Sequence, residues 1–167
     1  MPKPPLPRPI FRLTALLAGL LLPAAGHAVD PNGAPHSGAP NLAENQDLVC
    51  LAMNIYHEGR SESTRGQAAI AAVTMNRMRS PRYPDSVCEV VWQRKQFSWT
   101  LLAAQHHVVT DAQAWEKALV IAELFLNGAR LALVREATHY HTVDVQPFWS
   151  KNTPAIALIG KHVFYAL

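Results

Sequence analysis

Residues 48–79 decide the fold class, and they read LVCLAMNIYHEGRSESTRGQAAIAAVTMNRMR. In the first half, four apolar side chains follow the i, i+3, i+4, i+7 spacing of an amphipathic helix. They are Leu48, Leu51, Ala52 and Ile55. The second half is apolar on nearly every face, which is typical of a helix buried at the centre of a domain. The stretch therefore predicts two successive helices in a mostly helical domain.

Polar pairs at the spacing of a capping box mark the expected helix starts. They are Asn41 with Glu44, Thr64 with Gln67, Ser86 with Glu89, and Thr110 with Gln113. The first helix is expected over about 42–57, with a break near Gly59, and the second to about Arg79. The pair Asn127-Gly128 is expected to end the fourth helix.

Two short segments late in the chain have the composition of strands rather than helices. They are residues 137–142, ATHYHT, and residues 162–166, HVFYA. We therefore predict a mostly helical α+β domain with a small β element late in the chain.

The first residues of the chain have the pattern of an export signal. Lys3, Arg8 and Arg12 precede the apolar run 13–25, and small residues continue to Ala28. This is the pattern of a secretory signal peptide, and the run is shorter than the roughly 20 apolar residues of a membrane span. The protein is therefore expected in the periplasm, the cell wall or outside the cell.

The expected organisation is a signal peptide over 1–28, a flexible lead-in over 29–40 and one folded domain over 41–167. The lead-in is rich in Pro, Gly and Ala and shows no periodicity. Hydrophobic residues make up 49% of the chain and charged residues 16%. This composition excludes collagen-like, coiled-coil and disordered classes.

The charge balance does not favour a nucleic-acid partner. The chain has 15 Lys and Arg against 12 Asp and Glu, a net charge of +3. The surplus lies within the expected signal peptide, so cleavage after Ala28 leaves equal numbers of basic and acidic side chains. Without a basic block, nothing drives phosphate binding. We expect a monomer that meets the membrane only through the signal segment.

Cys50 and Cys88 are the two cysteines of the chain. Export permits a disulfide, which we expect between them. The alternative is two buried free thiols.

The segment Tyr56–Glu62, YHEGRSE, is the first candidate for chemistry. Glu58 stands at the C-terminal end of an apolar helix, where the helix dipole and partial burial both raise a carboxyl pKa. A raised pKa keeps a proton available for general acid catalysis near neutral pH. The alternative is a solvated helix end in which Arg60 pairs with a neighbouring acid.

His139-Tyr140-His141 is the second candidate. Two histidines at i, i+2 on a strand share a face, which suits a metal. With His57 and Glu58 they could form a zinc hydrolase site, although the chain has no HExxH motif. We favour a sheet edge whose His and Tyr side chains hydrogen-bond a substrate, and we expect no metal and no cofactor.

Gln96-Phe97-Ser98-Trp99, with Trp92 nearby, is the third candidate. Aromatic rings suit the apolar face of a sugar, and amide and hydroxyl groups suit its hydroxyls. The alternative is a pair of aromatic side chains in the core.

These stretches together resemble the cell wall hydrolases of the spore cortex-lytic enzyme SleB type. The resemblance covers about 120 residues. The family pattern Tyr-x-Glu-x-Arg-x-Glu, then Gly-Gln-x-Ala-x-x-Ala-x-x-x-x-Asn-Arg, is matched by Tyr56, Glu58, Arg60, Glu62, Gly66, Gln67, Ala69, Ala72, Asn76 and Arg77. Further matches are 80–84, 88–91, 96–98, 137–141 and 159–164.

The resemblance implies a lysozyme-like domain that cuts the glycan strands of peptidoglycan, with Glu58 as the catalytic acid. Substrate-binding positions are expected at Glu62, Gln96, Phe97, Ser98, His139 and Tyr140. Many relatives have cysteines on both sides of the Gln-Phe-Ser segment, whereas here Lys95 precedes it and no cysteine follows.

The resemblance favours lytic transglycosylation over hydrolysis, because a hydrolase of the usual kind needs a second carboxylate. Only Glu62, Asp85 and Asp144 are considered for that role, and the sequence does not show whether any of them lies near Glu58. Two alternatives remain open. One is a zinc-dependent peptidoglycan amidase or peptidase using His139 and His141, and the other is a wall-binding protein without catalysis.

Overall fold

The computed structural model describes residues 45–167. The expected signal peptide and lead-in, residues 1–40, lie outside the described residues, as do Asn41 and Glu44. From residue 45 onward, no helix is both long enough and apolar enough to cross a membrane.

The described residues form four α-helices followed by three β-strands. They are α1 (Gln46–Gly59), α2 (Thr64–Arg79), α3 (Val87–Trp92), α4 (Ala112–Leu126), β1 (His139–Thr142), β2 (Ala157–Ile159) and β3 (His162–Tyr165). Short 3₁₀ turns lie between α3 and α4 and after α4. The prediction of a mostly helical α+β domain with a small late β element is confirmed.

The predicted start of the first helix is wrong. The helix begins at Gln46, and its N-cap is Asn45, whose side chain accepts a hydrogen bond from the backbone N–H of Leu48 at 3.1 Å. That bond satisfies one of the free donors at the helix start, so the helix needs no earlier turn. The predicted break at Gly59 is confirmed.

The second and fourth helices have N-caps one residue away from the predicted ones. Ser63 caps α2 in place of Thr64, and Asp111 caps α4 in place of Thr110. Gln67 does not close a capping box, because its side-chain amide donates to the carbonyl oxygens of Arg60 and Glu62 between α1 and α2. The predicted cap Ser86 of α3 is confirmed.

Helix α1 packs against α2, α3 and α4. Helix α2 packs against α1, α3, α4 and strand β2. The apolar faces of α1 and α2 are fully buried, as the sequence predicts. Gly59 allows the close approach of the two helices, since a Cβ there would lie 2.6 Å from Cδ1 of Ile70. The end of α1 is thereby held close against α2.

Cys50 of α1 and Cys88 of α3 form the expected disulfide. The Cα atoms of the two residues lie 5.2 Å apart, and the bond closes a loop with a sequence separation of 38 residues. It fixes the short helix α3, which has only six residues, onto α1.

The three strands form an antiparallel sheet in the order β1-β3-β2. Strand β3 is central, and Tyr140 of β1 pairs with Phe164 of β3. The sequence missed β2, because three residues show too little alternation to predict a strand. Gly160, at φ +58°, makes the turn between β2 and β3, and a Cβ there would collide with the carboxylate of Glu62.

We expect removal of the disulfide to destabilise the domain by about 4 kcal/mol, because the unfolded chain then regains the freedom of the closed loop. Urea unfolding of the Cys50→Ala/Cys88→Ala variant measures the loss. Wild-type protein in reducing agent is the matched control and should show the same decrease. An unfolding midpoint that does not change would contradict the structural role of the bond.

The hydroxyl of Tyr56 joins α1 to the start of α4. Its oxygen accepts hydrogen bonds from the backbone N–H groups of Thr110 and Asp111, both at 3.1 Å. Tyr56→Phe leaves two donors without their acceptor, and we expect a loss of about 2 kcal/mol in the free energy of unfolding. Chemical denaturation measures it, and a loss smaller than about 0.5 kcal/mol would show that water replaces the phenol oxygen.

Candidate active site

A cavity of about 250 Å³ lies where the end of α1 meets α2, the 96–98 segment and the sheet. Its lining residues are Glu58, Arg77, Gln96, Phe97, Ser98, Tyr140, His141, Thr142, Val145 and His162. Five of the predicted site residues are therefore brought together: Glu58, Gln96, Phe97, Ser98 and Tyr140.

Glu58 is on the last turn of α1, with its side chain partly buried in the cavity wall. The hydroxyl of Tyr140 donates a hydrogen bond to Oε2 of Glu58 at 3.0 Å. Burial raises the pKa of the Glu58 carboxyl, while this hydrogen bond and the positive charge of Arg77 oppose the shift. The site thus favours a protonated carboxylic acid whose orientation is fixed.

The hydroxyl of Tyr140 acts as a hydrogen-bond donor, because the phenol stays protonated. Burial and the neighbouring Glu58 carboxylate raise the pKa of its phenol well above the ordinary value. The phenol therefore keeps its proton over the whole pH range in which Glu58 titrates.

Arg77 places a buried positive charge beside this pair. Its side chain is only 4% exposed, and its Nε donates to the carbonyl oxygen of Thr138 at 2.7 Å. The guanidinium lies over the rings of Tyr83 and Phe97, at 5.5 and 5.1 Å from their centroids. Burial lowers the pKa of Arg77, and Glu58 is among the groups that oppose this. Arg77 therefore joins α2 to the start of β1 within the site.

The segment from Gln96 to Trp99 divides between the cavity and the core. Gln96 and Ser98 line the cavity, whereas Trp99 is buried, and its Nε1 donates to Oδ1 of Asn54 at 3.0 Å. The ring of Trp99 also stacks on His57, with centroids 4.5 Å apart. Phe97 is also buried, at 2% exposed, so the core alternative describes both aromatic side chains. The contacts of Trp99 hold the segment against α1.

Two predicted binding residues do not line the cavity. Glu62 has a side chain only 7% exposed, and its Oε1 lies 3.7 Å from Nδ1 of His162. His139 shares a hydrogen bond with the hydroxyl of Thr138 at 3.1 Å, and its ring packs on Trp149. Burial and the charges of two arginines lower the pKa of His139 to about 4. It is therefore neutral near neutral pH.

The cavity also contains His141 of the second candidate segment. Four further lining residues had no binding role in the sequence analysis, namely Arg77, Thr142, Val145 and His162. Arg77 is part of the family pattern, and this is the one sequence observation that could have drawn attention to it. His141, Thr142 and His162 come to the cavity through the pairing of β1 with β3, and Val145 follows the turn after β1.

Within residues 45–167, no group of three or more His, Cys, Asp or Glu side chains is arranged to hold a metal ion. His141 instead bonds through Nε2 to the hydroxyl of Tyr165 at 2.9 Å. Its Nδ1 lies 2.8 Å from the carbonyl oxygen of Thr142. Both ring nitrogens therefore have partners within the sheet.

The profile of one protein family, described as cell wall hydrolase, matches residues 61–165. This chain belongs to the cell wall hydrolase family. Glu58 precedes the matched range, so its assignment depends on the geometry of the cavity. The SleB-type resemblance drawn from the sequence is confirmed.

Among curated proteins, the chain is similar to spore cortex-lytic enzymes. It is 34% identical to that of Bacillus subtilis over 126 residues, covering 75% of this chain and 39% of that protein. It is 31% identical to that of Oceanobacillus iheyensis over 140 residues, covering 81% and 47%. The chain therefore spans less than half the length of these relatives.

Two solved structures share the fold. The catalytic domain of the Bacillus cereus SleB protein superposes with a TM-score of 0.57 at 30% identity, covering 72% of this chain and 90% of that one. The catalytic domain of the germination-specific lytic transglycosylase SleB from Bacillus anthracis gives 0.59 at 31%, covering 76% and 99%. The predicted lysozyme-like domain is confirmed by these neighbours.

The hydrogen bond from Tyr140 to Glu58 can be tested without a substrate, through the pKa of Glu58. Tyr140→Phe removes a hydrogen bond to the ionised carboxylate, so the pKa of Glu58 should rise further. Carboxyl ¹³C chemical shifts of Glu58, followed over pH in wild type and variant, measure the change. The resonance of Glu123, which is exposed on α4, is the internal control, and its chemical shift should be unchanged by the substitution. A lower pKa of Glu58 in the variant would contradict the assigned donor.

Proposed function

We propose that the protein is a lytic transglycosylase that cuts peptidoglycan glycan strands, with Glu58 as both general acid and general base. One observation carries the proposal: a partly buried carboxyl of raised pKa faces a cavity lined by no second carboxylate among the described residues. Membership of the cell wall hydrolase family supports it, as does the similarity to a lytic transglycosylase catalytic domain.

The first step needs a proton on Glu58. Because Oε2 accepts the Tyr140 hydrogen bond, Oε1 carries the transferable proton. Oε1 donates it to the glycosidic oxygen between N-acetylmuramic acid and N-acetylglucosamine, and the bond from that oxygen to C1 of the muramic acid breaks. Nearby Arg77 and Tyr140 stabilise the carboxylate that remains.

The second step returns the proton to Glu58. The carboxylate takes it from the C6 hydroxyl of the same muramic acid as that oxygen closes onto C1. The product is a 1,6-anhydro ring, no water is consumed, and the carboxyl is restored. One carboxyl thus serves both steps, which fits a cavity with a single acid.

Hydrolysis would require another carboxylate, roughly 5 Å away for retention or about 6.5–9.5 Å for inversion. Glu62 is buried beside His162, and Asp85 and Asp144 are exposed away from the cavity lining. The three acids considered from the sequence therefore do not support a hydrolase.

Proposed substrate contacts follow from the cavity lining. Gln96 and Ser98 offer hydrogen bonds to sugar hydroxyls, whereas the ring of Phe97 is buried beneath the Arg77 guanidinium and supports the cavity wall. Tyr140 orients Glu58. Glu62 and His139 are proposed to support the β2–β3 turn and β1 respectively, because neither lines the cavity. The substrate lies outside the cytoplasmic membrane, so we propose a location in the periplasm or cell wall, consistent with the expected signal peptide.

Glu58→Gln should reduce the rate of glycan cleavage by about 10²–10⁴-fold, because glutamine cannot transfer the proton. The change is nearly isosteric, so the free energy of unfolding should change by less than about 1 kcal/mol. Mass spectrometry of muropeptides released from purified sacculi measures the rate and identifies the product. Glu123→Gln is the matched control and should keep wild-type turnover.

The products separate the proposal from its rivals. Anhydro-muropeptides support transglycosylation, reducing ends would indicate a muramidase, and free stem peptides would indicate an amidase. Binding to sacculi without any released product would indicate a wall-binding protein.

Glu62→Gln should lose less activity than Glu58→Gln, and the reverse order would exchange the roles of the two residues.

A further inference from the structure

A second and larger cavity, an open groove of about 960 Å³, lies beside the end of α2. Four arginines line it, namely Arg79, Arg82, Arg130 and Arg135, together with one acid, Glu136. The arginine groove, as we call this set, is strongly positive in a domain whose basic and acidic side chains are otherwise nearly balanced. Such a groove attracts anions.

The guanidinium groups of the groove are poorly neutralised by the described residues. Arg79 donates to the side-chain oxygen of Asn76, and Arg130 donates to the backbone oxygens of Gly128 and Ala129. Arg82 donates to a backbone oxygen of Leu167, the last residue of the sequence. The acceptors of Arg79 and Arg130 are neutral amide oxygens, so the positive charge of these two arginines is left to interact with a ligand.

The groove also contains a weak ion pair. Arg135 and Glu136 approach to 3.6 Å, and both side chains are more than two-thirds exposed. Arg79 and Arg130 are close enough to interact unfavourably, since burial and the charge of Arg130 both lower the pKa of Arg79. A bound anion would relieve this repulsion.

The arginine groove adjoins the candidate active site through two elements. Asn76 and Arg79 of α2 line the groove, while Arg77 between them lines the active-site cavity. Thr138, just before β1, lines the groove, and Tyr140, two residues later in β1, lines the cavity. The hydrogen bond from Arg77 to the Thr138 carbonyl joins the two sites directly.

We infer that the arginine groove binds the free carboxylates of the stem peptides carried by the muramic acids of the glycan strand. This inference rests on the proposed function. A stem of four residues extends about 13 Å, whereas Thr138 and Tyr140 are separated by only about 7 Å of strand. A stem attached to a sugar at Glu58 is therefore long enough to pass from the cavity lining to the groove lining. Guanidinium groups there would bind its carboxylates by charge-assisted hydrogen bonds.

The test compares soluble glycan strands that carry stem peptides with the same strands stripped of them by an amidase. Arg79→Gln/Arg130→Gln should raise KM on stem-bearing strands about tenfold, with kcat nearly unchanged. On stripped strands the variant and the wild type should have equal KM values. Arg65→Gln/Arg94→Gln removes the same charge from exposed positions outside both cavities and should match wild type on both substrates.

A direct binding measurement keeps this inference separate from the proposed function. Fluorescence anisotropy of a labelled free tetrapeptide stem should show binding to wild type, and at least about tenfold weaker binding to Arg79→Gln/Arg130→Gln. A stem whose carboxyls are amidated should bind to wild type only as weakly as the unmodified stem binds to the variant. Near-ultraviolet circular dichroism confirms that the variant is folded.

Each result either supports the inference or overturns it. Equal KM values for stem-bearing and stripped strands in wild type would overturn it, as would stem binding that survives amidation. Binding of polyphosphate without binding of the stem would also overturn it, in favour of a phosphate polymer. Stem binding together with no cleavage of any strand would retain the groove and reject the proposed function.

Discussion

The buried guanidinium of Arg77 is the contact on which the arrangement of the site depends. It leaves α2, lies over Tyr83 and Phe97, and donates to the carbonyl oxygen of Thr138 just before β1. A charge removed from water at this cost persists only where hydrogen bonds, aromatic faces and a nearby carboxylate compensate for it. The helical part and the sheet are thereby fixed relative to each other at the point where Glu58 meets Tyr140.

The chemistry of Glu58 follows from this meeting of helix and strand. The end of α1 alone would leave a carboxyl in solvent, with its proton lost near neutral pH. Closure by β1 removes water, and the Tyr140 hydroxyl fixes one oxygen of the carboxyl. Burial raises the pKa, while the tyrosine and the arginine limit the rise. A single group can therefore donate and accept a proton in successive steps.

The proposed substrate would meet two different surfaces at the site. The cavity walls near Glu58 offer the neutral hydrogen-bonding groups of Gln96 and Ser98, which suit sugar hydroxyls. The arginine groove next to them offers positive charge, which suits carboxylates. The 96–98 segment lacks flanking cysteines and is held instead by Trp99, through its stacking on His57 and its bond to Asn54. Packing inside the core thus holds this segment at the rim of the site.

The sequence by itself determined the helices, the disulfide pair and the candidate acid, because apolar periodicity, cysteine count and a local motif are properties of neighbouring residues. It placed three of four helix starts wrongly, since adjacent residues such as Ser63 and Thr64 are equally able to cap and backbone angles decide between them. Strand β2 and the inward positions of His141 and His162 depend on pairing between distant segments. Only the tertiary structure separated Glu58 from Glu62 and gathered the four arginines into one groove, because burial and charge proximity arise when segments far apart in sequence pack together.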